Sequence, residues 1–235
     1  DSTLLKSMLP SLEKGVMEEH QGQFFNQPRA VIRPAPKTSF KDRLVQVAMS
    51  PESGQEAAKL GAQMMAFNYK PMEVQKQEFD LYKEAFVSHH GHQPKPLLLT
   101  DMTVCDTDAA RAEENSKYIA SYLVSVLHHY DLMGEHYKNA KGYEAYGEAV
   151  DAMREVGKEG MMQAYLDQQI WGTPDKILRQ FEERRKLMGT TGALLCFRFA
   201  GMPFEASLRS QSLFAKEVMP VLKSWEDEDA SEKAA

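Results

Sequence analysis

The sequence has 235 residues, of which 43% are hydrophobic and 26% charged, and its formal net charge is −6. These values are ordinary for a globular protein and exclude collagen-like, coiled-coil and largely disordered chains. The acidic balance offers no basic surface to phosphate backbones or anionic lipids, so nucleic acid and membrane partners are not expected.

The two cysteines and the first residue bear on where the protein works. Cys105 and Cys196 lie in apolar runs, where buried free thiols are commoner than a disulfide, and this favours a cytoplasmic protein. The sequence begins with Asp1 rather than Met, so we expect the natural start to lie elsewhere.

Short apolar runs alternate with helical patterns along the chain, which is typical of β/α units around a parallel sheet. A helix is predicted over 4–19, followed by two extended segments that end near Pro34 and Pro36. Further helices are predicted over 51–60, 72–89 and 204–225. The predicted core strands are 44–49, 64–67, 97–105 and 192–199.

The segment 107–170 carries helical patterns broken at glycines and no strand pattern. It exceeds what one crossover needs, so part of it is predicted to be an insertion on one rim of the sheet. Thr173 and Pro174 then predict the N-cap and first residue of another helix. Residues 226–235 are nearly all acidic or small and are predicted to form a disordered tail.

The most informative local unit is the strand end and helix start around Ser50 and Ser53. Ser50 occupies an N-cap position and Pro51 the first helical position, with a second hydroxyl at Ser53. Free amides and the helix dipole at such a start can bind an anion, with both hydroxyls as donors. Capping of the helix is the commoner role of such a serine, and Glu52 counts against a bound phosphate.

Three further groups of side chains have both a functional and a purely structural interpretation. Tyr118 and Tyr122 share a helix face and either wall a planar ligand or, more commonly, fill the core. Arg198 interrupts an apolar strand and either contacts a ligand at the strand end or forms an ion pair. Six histidines fall in two groups without the ligand pattern of a metal site, so no metal is expected.

Four segments, taken together in their order, resemble the C-terminal half of the bacterial luciferase-like flavin-dependent monooxygenases. The resemblance covers nearly the whole chain, from the first helix to Trp225, and rests on joint order and spacing rather than on one motif. The segments are Val47-Ala-Met-Ser-Pro-Glu-Ser-Gly, Trp171-Gly-Thr-Pro-Asp, Leu195-Cys-Phe-Arg-Phe-Ala-Gly-Met-Pro and Ser212-Leu-Phe-Ala-Lys-Glu-Val-Met-Pro.

The resemblance implies a fold, a cofactor and a reaction. The family fold is an α/β (β/α)8 TIM barrel with a long insertion before its last strand, so residues 1–225 would supply strands five to eight. The activity implied is an oxidoreductase, a flavoprotein monooxygenase that uses reduced FMN and oxygen on a small organic substrate such as an aldehyde. Alternatives are a non-catalytic flavin-binding or partner subunit, and a deazaflavin-dependent oxidoreductase.

The resemblance also implies roles for individual residues. It places the flavin phosphate on Ser50, Ser53 and Gly54, and Tyr122 beside the flavin ring. Arg198 is expected to face the substrate or the phosphate rim. A mobile lid is implied within 152–169, and no catalytic residue is assigned, because the family's usual histidine belongs to the first four β/α units.

Those first four units are not recognisable in this sequence. We therefore expect the N-terminal half-barrel as a partner, in the same chain or a second one. A flavin reductase that supplies reduced FMN is also expected. The family is commonly dimeric and a dimer is expected here, although its main dimer contact belongs to the half that is not recognisable.

Overall fold

The computed structural model of the protein describes residues 8, 10–40, 42–131, 134 and 144–225, with the backbone alone for 144–154. The first helical segment, residues 10–14, ends at Gly15, where φ is +69°. The predicted helix to residue 19 is therefore wrong at its end, because the left-handed turn at Gly15 stops it. Two antiparallel pairs follow, β1 (Val16–Met17) with β4 (Ala30–Val31) and β2 (His20–Gln21) with β3 (Asn26–Gln27).

The four predicted core strands all form; three are shorter than predicted, and the strand predicted over 64–67 begins one residue earlier. They are β5 (Val45–Val47), β6 (Gln63–Phe67), β7 (Leu98–Met102) and β10 (Gly192–Cys196). They make one four-stranded sheet in the order β10-β7-β6-β5, and β5 pairs with β6 in parallel. A second parallel pair, β8 (Val104–Cys105) with β9 (Trp171–Gly172), continues beyond β7. The sequence does not predict β9, since two residues are too few to carry a strand period.

Helices separate the strands in the predicted order. They are α1 (Pro51–Lys59), α2 (Met72–His90), α3 (Ala109–His129), α4 (Glu144–Gln168), α5 (Pro174–Met188) and α6 (Phe204–Leu213). After α6 one π-helical turn, Phe214–Val218, leads into further helix to residue 225. The predicted caps form, since Ser50 and Thr173 each accept a first-turn amide.

Two helices expose large apolar side chains, although α2 also buries Phe79, Tyr82 and Phe86. Val74 and Leu81 of α2 are exposed, as are Phe204 and Leu208 of α6. The residues that α6 buries are instead small, Ala206, Ser207 and Ser210. Close packing against a sheet favours small side chains, so hydrophobicity alone selects the wrong face of this helix.

The chain divides into two compact units. The first comprises 1–66, 74–98 and 190–192, and the second comprises 67–73, 99–189 and 193–235. The single barrel domain predicted over 1–225 stays a prediction, and the acidic tail predicted at 226–235 lies outside the described residues. Among the helices that the structure describes, none has the length and apolar character needed to cross a membrane.

Candidate functional site

Two serine hydroxyls close the turn that begins α1, in the first unit. The Ser53 amide donates to Ser50 Oγ at 3.3 Å, and Ser53 Oγ accepts from the amides of Met49 and Ser50, each at 3.0 Å. The Ser53 hydroxyl donates to the Ser50 carbonyl at 2.9 Å. This arrangement is a capping box, so both serines perform the capping role that is common at this position.

The capping box determines which polar groups remain for a ligand. Ser53 Oγ has one proton and two lone pairs, and all three are engaged within the turn. The Gly54 amide is also engaged, donating to the Ser50 carbonyl at 3.0 Å. Ser50 Oγ accepts one bond and keeps its proton available beside a long 3.3 Å contact with Ser53 Oγ.

An anion at the start of α1 would therefore meet the Ser50 hydroxyl and the Glu52 amide. The Glu52 amide lies in the first turn, where a helix supplies no acceptor of its own. The Glu52 side chain is exposed, which leaves its carboxylate free to point into solvent. A single terminal phosphate fits this donor set, with Ser53 and Gly54 shaping the turn; the binding role of all three residues stays a prediction.

A group of aromatic side chains lies in the second unit, around Tyr122. The Tyr122 ring meets the Phe199 ring edge-on, with the centroids 6.3 Å apart. The Tyr122 cluster is the set of partly buried residues Tyr118, Tyr122, Tyr165, Trp171 and Cys196. All of them pack against a cluster of buried side chains that includes Met102. Met102 is the last residue of β7, and Cys196 is the last residue of β10.

Burial keeps the phenols of Tyr122 and Tyr165 protonated. It raises the pKa of Tyr122 and, more strongly, that of Tyr165, and the nearby Cys196 adds to both effects. Neutral phenols can donate hydrogen bonds and pack flat against a ring. The partly buried cluster is thus suited to a planar organic ligand, although Tyr122 also fills space beside the core.

Arg198 lies just beyond β10 rather than within it. The strand ends at Cys196, so the prediction that it extends to residue 199 is wrong. The Arg198 guanidinium lies over the Phe204 ring at 5.5 Å from its centroid, and no ion pair joins it to a described carboxylate. A guanidinium at the carboxyl end of a strand can bind an anionic or carbonyl group.

Trp171 is held in place from two sides. Its indole Nε1 donates to the Leu166 carbonyl at 3.1 Å, and Lys176 Nζ lies 3.3 Å from its ring centroid. Gly172 has φ of +137°, and a Cβ there would meet Lys176 Cδ at 2.6 Å. A glycine is thus required for the Lys176 stem to reach the indole.

A buried ion pair in the second unit is the main polar feature that the sequence interpretation misses. Arg184 binds Asp101 with two hydrogen bonds of 2.8 and 2.7 Å, and Asn68 Nδ2 donates to Asp101 Oδ1 at 2.8 Å. Asp101 is 0% and Arg184 4% exposed. Two signals are present in the sequence: Asp101 interrupts an apolar strand, and Arg184 shares the spacing of the buried residues Ile177, Phe181 and Met188.

The histidines at the end of α2 have a structural role. His90 Nε2 is 2.8 Å from the Ala58 carbonyl, and its ring packs on Phe86 with centroids 4.6 Å apart. Within the part of the chain that the structure describes, no three potential ligands come close enough to hold a metal ion.

Comparison with known proteins identifies the family. A sequence model described as luciferase-like monooxygenase matches residues 4–191. The chain belongs to this family. A search of curated proteins finds no match to this luciferase-like chain.

Solved structures of similar fold include a monooxygenase, RslO1, from Streptomyces bottropensis, at 20% identity and TM-score 0.58, covering 90% of this chain and 58% of that one. Another is the oxygenating constituent of 3,6-diketocamphane monooxygenase from Pseudomonas putida, in complex with FMN, at 14% identity and TM-score 0.62, with coverages of 92% and 61%. A third is the coenzyme F420-dependent tetrahydromethanopterin reductase from Methanopyrus kandleri, at 18% identity and TM-score 0.59. The similarity covers 92% of this chain and 61% of that one.

These similarities establish the luciferase-like fold, and the chain spans about three fifths of the length of those structures. The structure places Ser50, Ser53 and Gly54 together at one helix start, and Tyr122 and Arg198 in the second unit. Tyr165, Trp171 and Cys196 join Tyr122 although the sequence does not single them out as a group. Their contacts span α4, β9 and β10, which no local spacing reveals.

Proposed function

We propose that this chain is the C-terminal part of a (β/α)8 flavin-dependent monooxygenase that oxidises a small organic substrate, such as an aldehyde, with reduced FMN and oxygen. The observation that supports this most is the Tyr122 cluster. It contacts Met102 and contains Cys196, the last residues of β7 and β10, and α/β enzymes bind ligands at the carboxyl ends of their strands.

Each proposed residue has a distinct part in holding the cofactor and substrate. The Ser50 hydroxyl and the amide after Pro51 bind the FMN phosphate, while Ser53 keeps Ser50 in place through the capping box. Tyr122 packs against the flavin ring, and Arg198 binds a polar group of the substrate. Bound reduced FMN would supply the electrons that activate oxygen, and the aromatic side chains would keep water away.

Single serine variants test the phosphate site. We expect Ser50→Ala to weaken FMN binding about tenfold, the effect of losing one hydrogen bond to a charged group. Ser53→Ala should lower stability with a smaller effect on affinity, since its hydroxyl is engaged within the turn. Fluorescence titration of the protein in its native assembly measures both.

Riboflavin, which lacks the phosphate, is the matched control ligand for this titration. Its affinity should be the same for the unmodified protein and Ser50→Ala. Equal FMN affinity in these two proteins would exclude Ser50 from the phosphate site. A parallel loss for riboflavin would show that the substitution had disturbed the fold.

A deazaflavin-dependent oxidoreductase is the second candidate function. It is favoured by the similarity in fold to an F420-dependent reductase, with a TM-score of 0.59 against 0.62 for the FMN complex. The two functions differ in a direct assay. An F420 enzyme would transfer hydride without oxygen uptake, whereas the proposed monooxygenase consumes oxygen when reduced FMN is supplied by a flavin reductase.

We also propose that a β/α half-barrel completes this chain, as part of the same polypeptide or as a second subunit. β5 is the last strand on one side of the sheet, and its side chains Val45 and Val47 are 42% and 44% exposed. Apolar edge strands of this kind are normally covered by another strand. A non-catalytic subunit would have the same partner, and would bind FMN without turnover.

The mass of the native protein tests this arrangement. We expect native mass spectrometry of material from the source to show one of two results. Either the polypeptide is well above 26.6 kDa, or the 26.6 kDa chain is found in a complex with a second β/α chain; a dimer of either species is also expected. A lone species of 26.6 kDa with full monooxygenase activity would contradict it.

A further inference from the structure

Buried amide side chains form hydrogen bonds with the chain segment at the end of α4 and directly after it. Asn68 Nδ2 donates to the Gln168 carbonyl, and Gln169 Nε2 donates to the Asn68 carbonyl. Gln169 Oε1 accepts from the Met102 amide at 2.9 Å. Gln180 extends this set by donating to the Gln169 carbonyl at 3.1 Å and accepting from the Trp171 amide at 3.2 Å.

These bonds fix where α4 ends. Gln169 and Asn68 are each about 1% exposed, so their bonds form away from water and are correspondingly strong. Tyr165 lies one helical turn before Gln169, and the neighbouring Leu166 carbonyl accepts the Trp171 indole proton. The position of the Tyr165 ring beside Tyr122 and Cys196 therefore depends on this anchored end.

The network is not arranged for stability alone. Among the residues that the structure describes, Asn68 Oδ1 and Arg184 Nε are buried and have no hydrogen-bond partner. An unpaired buried polar atom costs stability. Costs of this kind are expected where a precise position matters for function.

We propose that Asn68 and Gln169 are positioning residues that hold the end of α4 so that Tyr165 packs on the same buried core as Tyr122 and Cys196. The proposal rests on the ligand role given above to the Tyr122 cluster. It assigns Asn68 and Gln169 no contact with substrate or cofactor. Their effect on the site is transmitted through the helix end and through Tyr165.

The reactivity of Cys196 reports on this arrangement without any cofactor. Cys196 is half-buried beside the tyrosines, whereas the other thiol, Cys105, is 2% exposed. We expect Gln169→Met, which keeps the side-chain length, to raise the rate at which a disulfide reagent modifies Cys196 several-fold. Peptide mass mapping identifies the modified cysteine.

Gln75→Met is the matched control. Gln75 is also a buried glutamine, at 2% exposure, but it lies on α2 in the first unit. We expect it to lower the thermal midpoint while leaving the labelling of Cys196 unchanged. An equal increase in both variants, or no increase in Gln169→Met, would overturn the proposal.

Hydrogen exchange of the unmodified protein gives a second test that does not require a variant to fold. The amides of Met102 and Trp171, whose acceptors are Gln169 and Gln180, should exchange slowly. Peptides over 165–171 should likewise exchange more slowly than those over 155–162 at the exposed middle of α4. Uniform exchange along α4 would contradict the anchored end.

Neither the labelling test nor the exchange test uses FMN, so failure of the proposed function would be seen separately in the FMN titration.

Discussion

The buried pair of Asp101 and Arg184 shows how strongly single residues depend on their partners in this protein. Both charges are removed from water and satisfy each other through two hydrogen bonds. Such a pair contributes little net stability compared with apolar residues, yet removal of one member leaves an uncompensated buried charge. The sequence contains both residues at core positions, but it does not show that they meet.

We predict that Arg184→Met destabilises the protein by about 3–5 kcal/mol, because Asp101 then stays buried without its counter-charge. Urea denaturation measures the loss. Lys186→Met is the matched control on the same helix, since Lys186 pairs with Glu182 in an exposed position and should lose less than about 1 kcal/mol. Similar losses in the two variants would show that the Asp101 pair is not the cause.

A second residue-scale prediction concerns alkaline pH. Burial, with a smaller effect from the Asp106 carboxylate, raises the pKa of the Cys105 thiol to about 12 from an ordinary 9.0. Above pH 9.0 the unfolded chain loses this proton while the folded chain keeps it, so stability is full below pH 9.0 and falls as the pH rises towards 12.

Cys105→Ala should reduce this alkaline loss, as measured by urea midpoints between neutral pH and pH about 11. Cys196→Ala changes the half-buried cysteine and is the matched control, which should keep the loss. The explanation fails if the midpoints of Cys105→Ala fall with pH as steeply as those of the unmodified protein.

At the scale of elements, α4 combines an anchored end with an interrupted middle. Gly157 has φ 74° and ψ 168°, which are not helical values, so two helical pieces meet there. This conformation is open to glycine and strained for other residues. Gly157 lies within the segment 152–169 where the family resemblance implies a lid, and a glycine of this kind can act as a hinge.

We predict that Gly157→Ala destabilises α4 by about 1–2 kcal/mol, because an L-residue is strained at this φ. Thermal unfolding measures the change, and proteolysis within α4 should become faster. Glu159→Ala, at an exposed helical position two residues away, is the control and should change stability by less than about 0.5 kcal/mol. If Gly157→Ala is as stable as the unmodified protein, the interruption is not required by the fold.

At the scale of the whole molecule, the sheet presents apolar side chains that nothing in the described residues covers. Val45 and Val47 project from β5, and Leu194 of β10, at the opposite edge of the sheet, is also exposed. Scattered exposed apolar residues are normal, but apolar residues along an edge strand favour association. This agrees with the half-barrel partner proposed above.

We predict that the isolated chain binds an apolar fluorescent dye through this edge. Val45→Thr together with Val47→Thr should lower dye fluorescence while keeping the strand, since threonine also favours β structure. Val74→Thr with Leu81→Thr, on the exposed face of α2, is the control for the loss of exposed apolar groups. A greater decrease in the α2 variant would place the apolar surface elsewhere.

The sequence by itself determined the order of the four core strands and of the helices from α1 onward, the caps at Ser50 and Thr173, and the family. Periodicity and cap chemistry are local, so they can be recognised in the sequence without knowledge of the fold. Only the tertiary structure decided that Asp101 meets Arg184, and that Tyr165 packs on the same core as Tyr122. These contacts join residues far apart in sequence, and no local pattern encodes them.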